Sequence, residues 1–289
     1  AVAWRCLFQG LHWTGAEGYV FDSMQYLAWT REMGEHVLSA NMFSLEPPVR
    51  NYVNPGLELS GLLYALGVSP RWAYAVWIPL GIVALILSVG RFVRHNIGGG
   101  WAAIAAIALA LLYKLPAGDF VRSIVPKANW NATVYSGYDS LPVFWSWGYS
   151  LTAIAVALLC AGLLVHERER SAGRSFSPLL AAIALLVSWL QPWQGAILLG
   201  TIVIGELIAW KVLSGDKRPL SSRISLVATT CVAGILPLAY YAVMGVIDES
   251  WRINGLQANR YLSGASWWTP FAVTFPLLIA AIAFTGLTT

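Results

Sequence analysis

Seven apolar runs, separated by segments rich in charge, glycine or proline, constrain this chain more than any other feature. A helix needs roughly 20 apolar residues to cross a bilayer, and fewer when it packs against neighbouring helices. Hydrophobic residues make up 57% of the 289 positions and charged residues only 11%, against about 25% in soluble domains. The pattern predicts an all-α, polytopic transmembrane helical bundle with spans at 72–92, 101–113, 147–165, 176–190, 193–213, 224–246 and 267–287.

Basic residues near these runs crowd into three short loops on one side of the predicted bundle. Cytoplasmic loops of membrane proteins carry an excess of Lys and Arg, so we assign these loops to the cytoplasm. Segments 1–71, 114–146 and 247–266 then face outward, and 191–194 is a tight outer turn. The basic residues are Arg91, Arg94, Arg168, Arg170, Arg174, Lys211, Lys217, Arg218 and Arg223.

Two regions follow from this topology. Residues 1–71 form an outer first loop with two amphipathic surface helices, and residues 72–289 form the bundle of about seven spans. The chain starts at Ala1 with neither a starting Met nor a signal pattern, so we expect a fragment that lacks an upstream span. Of three cysteines, two fall inside apolar runs, which leaves the outer loops without an intrachain disulfide framework.

The first outer loop contains the most suggestive carboxylate, Asp22. It opens a helical pattern in which Tyr26, Trp29, Met33 and Val37 recur on one side, with Gln25, Glu32, Glu35 and His36 on the other. Asn54-Pro55-Gly56 begins a second helix of the same loop. Asp22 also has a structural interpretation, because Asp22-x-x-Gln25 ahead of an apolar run is typical of a helix N-cap with its capping-box partner.

Cations and aromatic side chains are interleaved in the two later outer loops. Such cations at the headgroup level suit the phosphate or pyrophosphate of a lipid-linked substrate. The alternative is ordinary loop solvation or attraction to anionic headgroups. The candidates are Arg122, Lys127, Arg252 and Arg260, with Arg252 and Arg260 ranked first because their loop is short.

Other chemical signatures are missing from the sequence. It has no P-loop, no HExxH, and no Cys or His pair at metal-binding spacing, and nucleic acid is not a plausible partner. Glu206 lies near the cytoplasmic end of a span, where we expect it to extend toward Lys211.

The order of these features resembles the GT-C class of polytopic glycosyltransferases. The likeness rests on the outer acid Asp22 at the head of a surface helix, on Asn54-Pro55 at the second surface helix, and on the short outer turn at Gln191-Pro192 between alternating spans. Many relatives carry two acids, or His-Pro, where this chain has one Asp, Asn54-Pro55 and Gln191-Pro192. A role for His or a divalent metal is therefore unsupported, and we expect no cofactor.

The resemblance implies transfer of a hexosyl or pentosyl group from a polyprenyl-phosphate donor, with inversion, to a glycan, lipid or protein acceptor outside the plasma membrane of a bacterium or archaeon. Asp22 would be the general base, and the outer cations would hold the donor phosphate. Membrane lipids would surround the bundle as partners. Substrate-lining positions would be Gln25, Tyr26, Asn54, Gln191, Trp193 and Gln194.

Two other classes of protein fit the same topology. A secondary transporter is also all-helical, but it would place charged or Gly-Pro-broken spans at the bilayer midplane. A non-catalytic, lipid-binding membrane subunit would keep the Trp-rich outer loops and tolerate loss of Asp22.

Overall fold

The computed structural model describes residues 20–42, 44, 49–112, 149–212, 219–253 and 255–256. All named elements of this part are helices, as expected, and the only pairing of extended backbone in it is an isolated antiparallel bridge between Ser39 and Tyr52. The helices are α1 (Val20–Glu35), α2 (Pro55–Ala65), α3 (Pro70–Ala75), α4 (Trp77–Ile97), α5 (Trp101–Leu112), α6 (Ser150–Ser171), α7 (Pro178–Leu190), α8 (Pro192–Val212) and α9 (Leu220–Ile247).

Four helical segments are long and apolar enough to cross a membrane, which confirms the predicted class of integral membrane protein. Two other predicted spans form shorter helices, since α5 has 12 residues and α7 has 13. The predicted span at 267–287 lies outside the described residues. The four long segments are Pro70–Ile97, Ser150–Ser171, Pro192–Trp210 and Leu220–Ile247.

Proline sets the start of several helices. Pro55, Pro70, Pro178 and Pro192 each stand at the first position of α2, α3, α7 and α8. The missing N–H of proline costs nothing there, because the first N–H groups of a helix have no intrahelical acceptor. Only Gln191 separates α7 from α8, so the predicted tight turn is present.

The core of the bundle is built around the short helix α7. Its Leu180, Ala184 and Val187 are completely buried against α8 and α9. Small residues allow this close packing: a methyl group added at Gly162 of α6 would lie 3.3 Å from Leu198 of α8. A second cluster joins α4, α5 and α6. Membrane helices often associate through such small residues, since lipid offers no hydrophobic driving force.

Helices α1, α2 and α3, with the connecting residues 36–54, form a unit that we call the platform. α1 and α2 cross where Gly34 meets Gly61, and a Cβ on Gly61 would lie 2.7 Å from the carbonyl carbon of Met33. Trp29 and Met33 of α1 are buried against Leu57 of α2 and against the bundle.

The predicted faces of α1 are partly wrong. Gln25, placed on the polar side by the periodicity, is only 7% exposed, because α2 and α3 both pack on α1. Val37, placed on the apolar side, lies beyond the end of the helix and is 84% exposed. The structure thus has helices at both places predicted in the first loop, while their position at the outer membrane surface remains a prediction.

The two ends of the bundle differ in chemistry. The platform contacts the start of α6 and the ends of α7 and α9. At the opposite end, His95 of α4 lies 2.8 Å from Glu167 of α6, close to the arginines of the short loops. We call these the platform end and the Arg-rich end, and the alternation of the described spans between them agrees with the predicted topology.

Candidate functional site

Aromatic side chains fix the first half of α1 over the bundle. Tyr26 stacks on Tyr74 of α3 with ring centroids 5.3 Å apart, and meets Tyr149, the residue before α6, edge-on at 6.3 Å. One turn later, Trp29 donates its indole N–H to the carbonyl oxygen of Ala40 at 3.0 Å and contacts Tyr52 at 4.7 Å. Such ring pairs add to area burial and hold orientation. α1 is therefore a rigid support.

Asp22 lies inside α1, in the first described turn. The backbone is already helical at Val20, so the interpretation of Asp22 as the N-cap is wrong. Positions four apart share a helix face, which places Asp22 on the side of α1 that carries Tyr26. Nothing further about its side chain belongs to the described part of the structure.

Gln25 carries an unusual buried group on the same turn. Its amide nitrogen Nε2 is shielded from solvent and has no hydrogen-bond partner among the described residues. An unmet buried donor costs about 1–3 kcal/mol, so such groups need an explanation. A ligand hydroxyl or carboxylate near the start of α1 would satisfy it.

Asn54 joins the platform to the bundle. Its Oδ1 accepts from the backbone N–H groups of Gly56 and Leu57, which caps α2. Its Nδ2 donates to the carbonyl oxygens of Trp189 and Leu190 at the end of α7, at 3.3 and 3.2 Å. The residue is 4% exposed and has no solvent-facing role in this arrangement.

Tyrosine and tryptophan side chains of the bundle also bind platform carbonyls. The Tyr241 hydroxyl lies 2.9 Å from the carbonyl oxygens of both Val53 and Trp189, and the Trp189 indole donates to Val53 at 3.2 Å. Tyr240 donates to the carbonyl oxygen of Asn51. The chain before α2 is therefore held mainly through its backbone.

A polar network follows the end of α9. Asp248 accepts from Asn51 Nδ2 at 2.7 Å and from the backbone N–H and hydroxyl of Ser250. Trp251 donates its indole N–H to Asn51 Oδ1 at 3.2 Å, and Asn41 donates to Ser250. Burial alone would raise the pKa of Asp248, but the hydrogen bonds from Ser250 and Asn51 hold that pKa below its ordinary value. The carboxylate is thus ionised at neutral pH, and its stabilisation is lost only in acid, as the pH falls through the lowered pKa.

The predicted site residues have different outcomes. Gln25, Tyr26, Asn54 and Gln191 lie at the platform end, and Gln191 donates to Thr152 of α6 at 2.7 Å. The first turn of α6 connects two of these places, because Tyr26 contacts Tyr149. In the same turn of α8, Trp193 is 75% exposed and Gln194 is half-buried.

The predicted phosphate-binding cations are described in one case. Arg252 lies on the helical turn 249–253 after Asp248, is exposed, and pairs with Glu249 at 3.0 Å. Its neighbour Trp251 stacks on Trp29, so Arg252 is at the platform end. Arg122, Lys127 and Arg260 lie outside the described residues.

Comparisons with known proteins give no identification. No family model matches the chain, and no curated protein and no solved structure is similar to it. The case for a function therefore rests on the residues and their geometry.

Two further acidic groups of the platform have chemical potential. Burial raises the pKa of Glu58 on α2 to about 7, and its Oε1 has no partner among the described residues. A carboxyl group with such a pKa can act as a general acid or base near neutral pH. Glu32, Glu35 and His36 have ligand atoms within 4.8 Å of one another, but Glu32 already pairs with Arg50 at 2.7 Å.

The Arg-rich end contains a charge cluster that links three spans. Glu206 of α8 pairs with Arg170 of α6 and Arg223 of α9, each at 2.5 Å, and lies 3.3 Å from Nε2 of His166. Sequence analysis assigned Lys211 as its partner; that side chain is not described, and the partners found instead come from neighbouring helices. Each charge has an opposite charge beside it, which favours a structural ion-pair network over a proton relay.

Sequence analysis missed several residues of the platform end, which contribute through contacts between distant segments. One local signal was available, because Asp248-x-Ser250 is typical of a residue that begins a helical turn. For the others, an aromatic pair at a span end and polar residues in a loop gave no indication of a partner. They are Asn41, Asn51, Tyr52, Tyr240, Tyr241, Asp248, Ser250 and Trp251.

Proposed function

We propose that this chain is a membrane glycosyltransferase of the GT-C kind, which moves a sugar from a polyprenyl-phosphate donor to an acceptor at the platform end. The observation that carries the proposal is the rigid mounting of the turn of α1 that holds Asp22 and Gln25. Catalytic groups need supports that do not shift, because small misplacements cost large factors in rate.

The chemistry assigns separate roles to the residues. A sugar hydroxyl is a poor nucleophile, and the Asp22 carboxylate would take its proton as the bond to the anomeric carbon forms. Such general-base catalysis contributes about 10² to 10⁴ in rate. The bond from the anomeric carbon to the phosphate oxygen breaks, and the departing polyprenyl phosphate keeps that electron pair. Gln25 would donate its unmet amide N–H to a substrate oxygen.

The outer cations would neutralise the leaving phosphate. Arg252 supports this role because it is exposed at the platform end, and its partner Glu249 is 75% exposed, so the pair is open to exchange with an anion. Arg260, Arg122 and Lys127 are the further candidates from the sequence. The aromatic rings near Asp22 are largely packed on one another, which favours a positioning role for them.

The test is a substitution that removes the base and keeps the shape. Asp22→Asn should leave thermal stability nearly unchanged and lower turnover by about two orders of magnitude or more. The assay is release of polyprenyl phosphate from radiolabelled polyprenyl-phosphate mannose and polyprenyl-phosphate arabinose by purified protein in liposomes. Glu58→Gln is the matched control, because it removes a different platform carboxyl group.

Each outcome has a distinct meaning. Turnover by Asp22→Asn at close to the parent rate excludes Asp22 as the base. Loss of turnover in Glu58→Gln alone would move the base to α2. A parent protein that transports either lipid-linked sugar without cleaving it would identify the transporter class, and one that only binds it would identify a non-catalytic subunit.

A further inference from the structure

A groove runs between α8 and α9 at the Arg-rich end, with a cavity volume of about 310 Å³. On α8 it is lined by residues that include Glu206, Leu207 and Trp210, which lie on one helix face. On α9 the corresponding face presents Arg223 and Ile224, and Ala228 one turn further. The volume lies within the range of small-molecule sites in proteins, about 300–1,000 Å³.

The walls of this groove are apolar and open. Leu207, Trp210 and Ile224 are each more than half exposed, although large apolar side chains are normally covered. Both helices are long and apolar enough to span a membrane, so the groove faces the bilayer. The material that covers its walls is therefore lipid hydrocarbon.

The floor of the groove carries an excess positive charge. Arg170 and Arg223 both pair with Glu206, so the cluster has a net charge of +1 when the imidazole of His166 is counted as neutral. Arg223 is the fourth residue of α9, only about 5 Å along the axis from its start. No side chain caps that helix start, so its positive dipole end adds to the charge.

We propose that this groove binds an anionic phospholipid of the leaflet at the Arg-rich end. One acyl chain lies along Leu207 and Ile224, and the phosphate lies beside Arg223 at the mouth. Basic pockets between membrane helices select anionic headgroups in this way. The site is separate from the proposed reaction, which takes place at the platform end.

The experiment measures which lipids the purified protein retains. Protein in detergent is mixed with equal amounts of phosphatidylglycerol and phosphatidylcholine of identical acyl chains, separated from free lipid, and analysed by native mass spectrometry. The parent should retain phosphatidylglycerol about fivefold over phosphatidylcholine, the ratio expected for one basic residue near a headgroup. Equal retention of the two lipids would overturn the proposal.

Two substitutions separate the acyl and headgroup contributions. Ala228→Trp fills the groove and should lower retention of both lipids at least about fivefold, whereas Ala105→Trp places the same side chain at an exposed position of α5 and should change nothing. Arg223→Gln leaves Glu206 paired with Arg170 and removes the net charge, so the ratio of the two lipids should fall toward unity.

A variant of opposite sign protects the test against misfolding. Glu206→Gln raises the net charge of the cluster to +2 and should increase the preference for phosphatidylglycerol. The proposal is refuted when Ala228→Trp retains lipid as Ala105→Trp does. It is equally refuted when Arg223→Gln and Glu206→Gln fail to move the lipid ratio in opposite directions.

Discussion

Asn54 offers the sharpest test of how the platform is held, because one side chain combines two separable functions. Its Oδ1 caps α2, and its Nδ2 donates to the carbonyl oxygens of Trp189 and Leu190. Loss of an N-cap costs about 1 kcal/mol. The Trp189 carbonyl keeps the Tyr241 hydroxyl as a donor, so only Leu190 loses its side-chain partner, which costs about 1 kcal/mol more.

Asn54→Ala should therefore lower the free energy of unfolding by about 2 kcal/mol. At roughly 2–4 °C per kcal/mol, the melting temperature should fall by roughly 4–8 °C. Asn54→Ser keeps a capping oxygen but is too short to reach α7. Since Ser caps about as well as Asn, this variant should lose only about half as much.

The assay is thermal unfolding in detergent, followed by intrinsic tryptophan fluorescence. Asn96 provides the matched control: it is exposed and donates to Phe92 within its own helix, so Asn96→Ala should cost less than about 0.5 kcal/mol. Equal losses in Asn54→Ser and Asn54→Ala would show that the cap contributes nothing. Losses in both no larger than that of Asn96→Ala would refute the link between platform and bundle.

Three further predictions follow from the same contacts. Glu58→Gln should raise the melting temperature at pH 8, by about 1 kcal/mol after allowance for partial exposure, and leave it unchanged at pH 4, because the parent loses stability between an unfolded pKa of about 4.3 and the folded value of about 7; exposed Glu249→Gln is the control, and an equal effect at both pH values would contradict the burial of Glu58. Gly195→Ala should destabilise strongly, since its Cβ would lie 2.5 Å from Cα of Ser188, whereas Gly200→Ala, which meets open space, should be neutral or gain up to about 1 kcal/mol; equal melting temperatures would refute the close contact of α7 with α8. In a background without native cysteines, Ser69→Cys should react with an impermeant thiol reagent in intact cells and Ser175→Cys should not, and the reverse pattern would invert the topology.

The sequence was sufficient for the class of fold because the apolar runs are periodic and long. Proline at the first helical position also located the starts of α2 and α8 to within a residue or two. The same reasoning failed for Gln25, because helix periodicity describes one solvent-facing side, whereas α1 is covered by both α2 and α3. Burial by a second neighbour is a tertiary effect that a local pattern does not contain.

The candidate site was less accessible to prediction for a physical reason. The platform is attached largely through backbone carbonyl oxygens, such as those of Val53 and Leu190, and every residue type carries a carbonyl. The partners are also far apart in the chain, since Asn51 meets Asp248 across 197 positions. Glu206 shows the same limit, because its partners Arg170 and Arg223 come from two other helices rather than from the nearest basic residue.

Separation of the two ends makes a last prediction about independence. α9 has 28 residues and is therefore about 42 Å long, so groups at its two ends share no contact. Effects of substitutions at distant sites usually add. Asp22→Asn should leave the ratio of retained lipids at the parent value, and Ala228→Trp should leave sugar transfer at the parent rate in detergent. The double variant should then show both defects at their single-variant size. A transfer rate that fell in Ala228→Trp and recovered when phosphatidylglycerol was added would instead mean that the two ends are coupled, with the lipid acting on the conformation that positions α1.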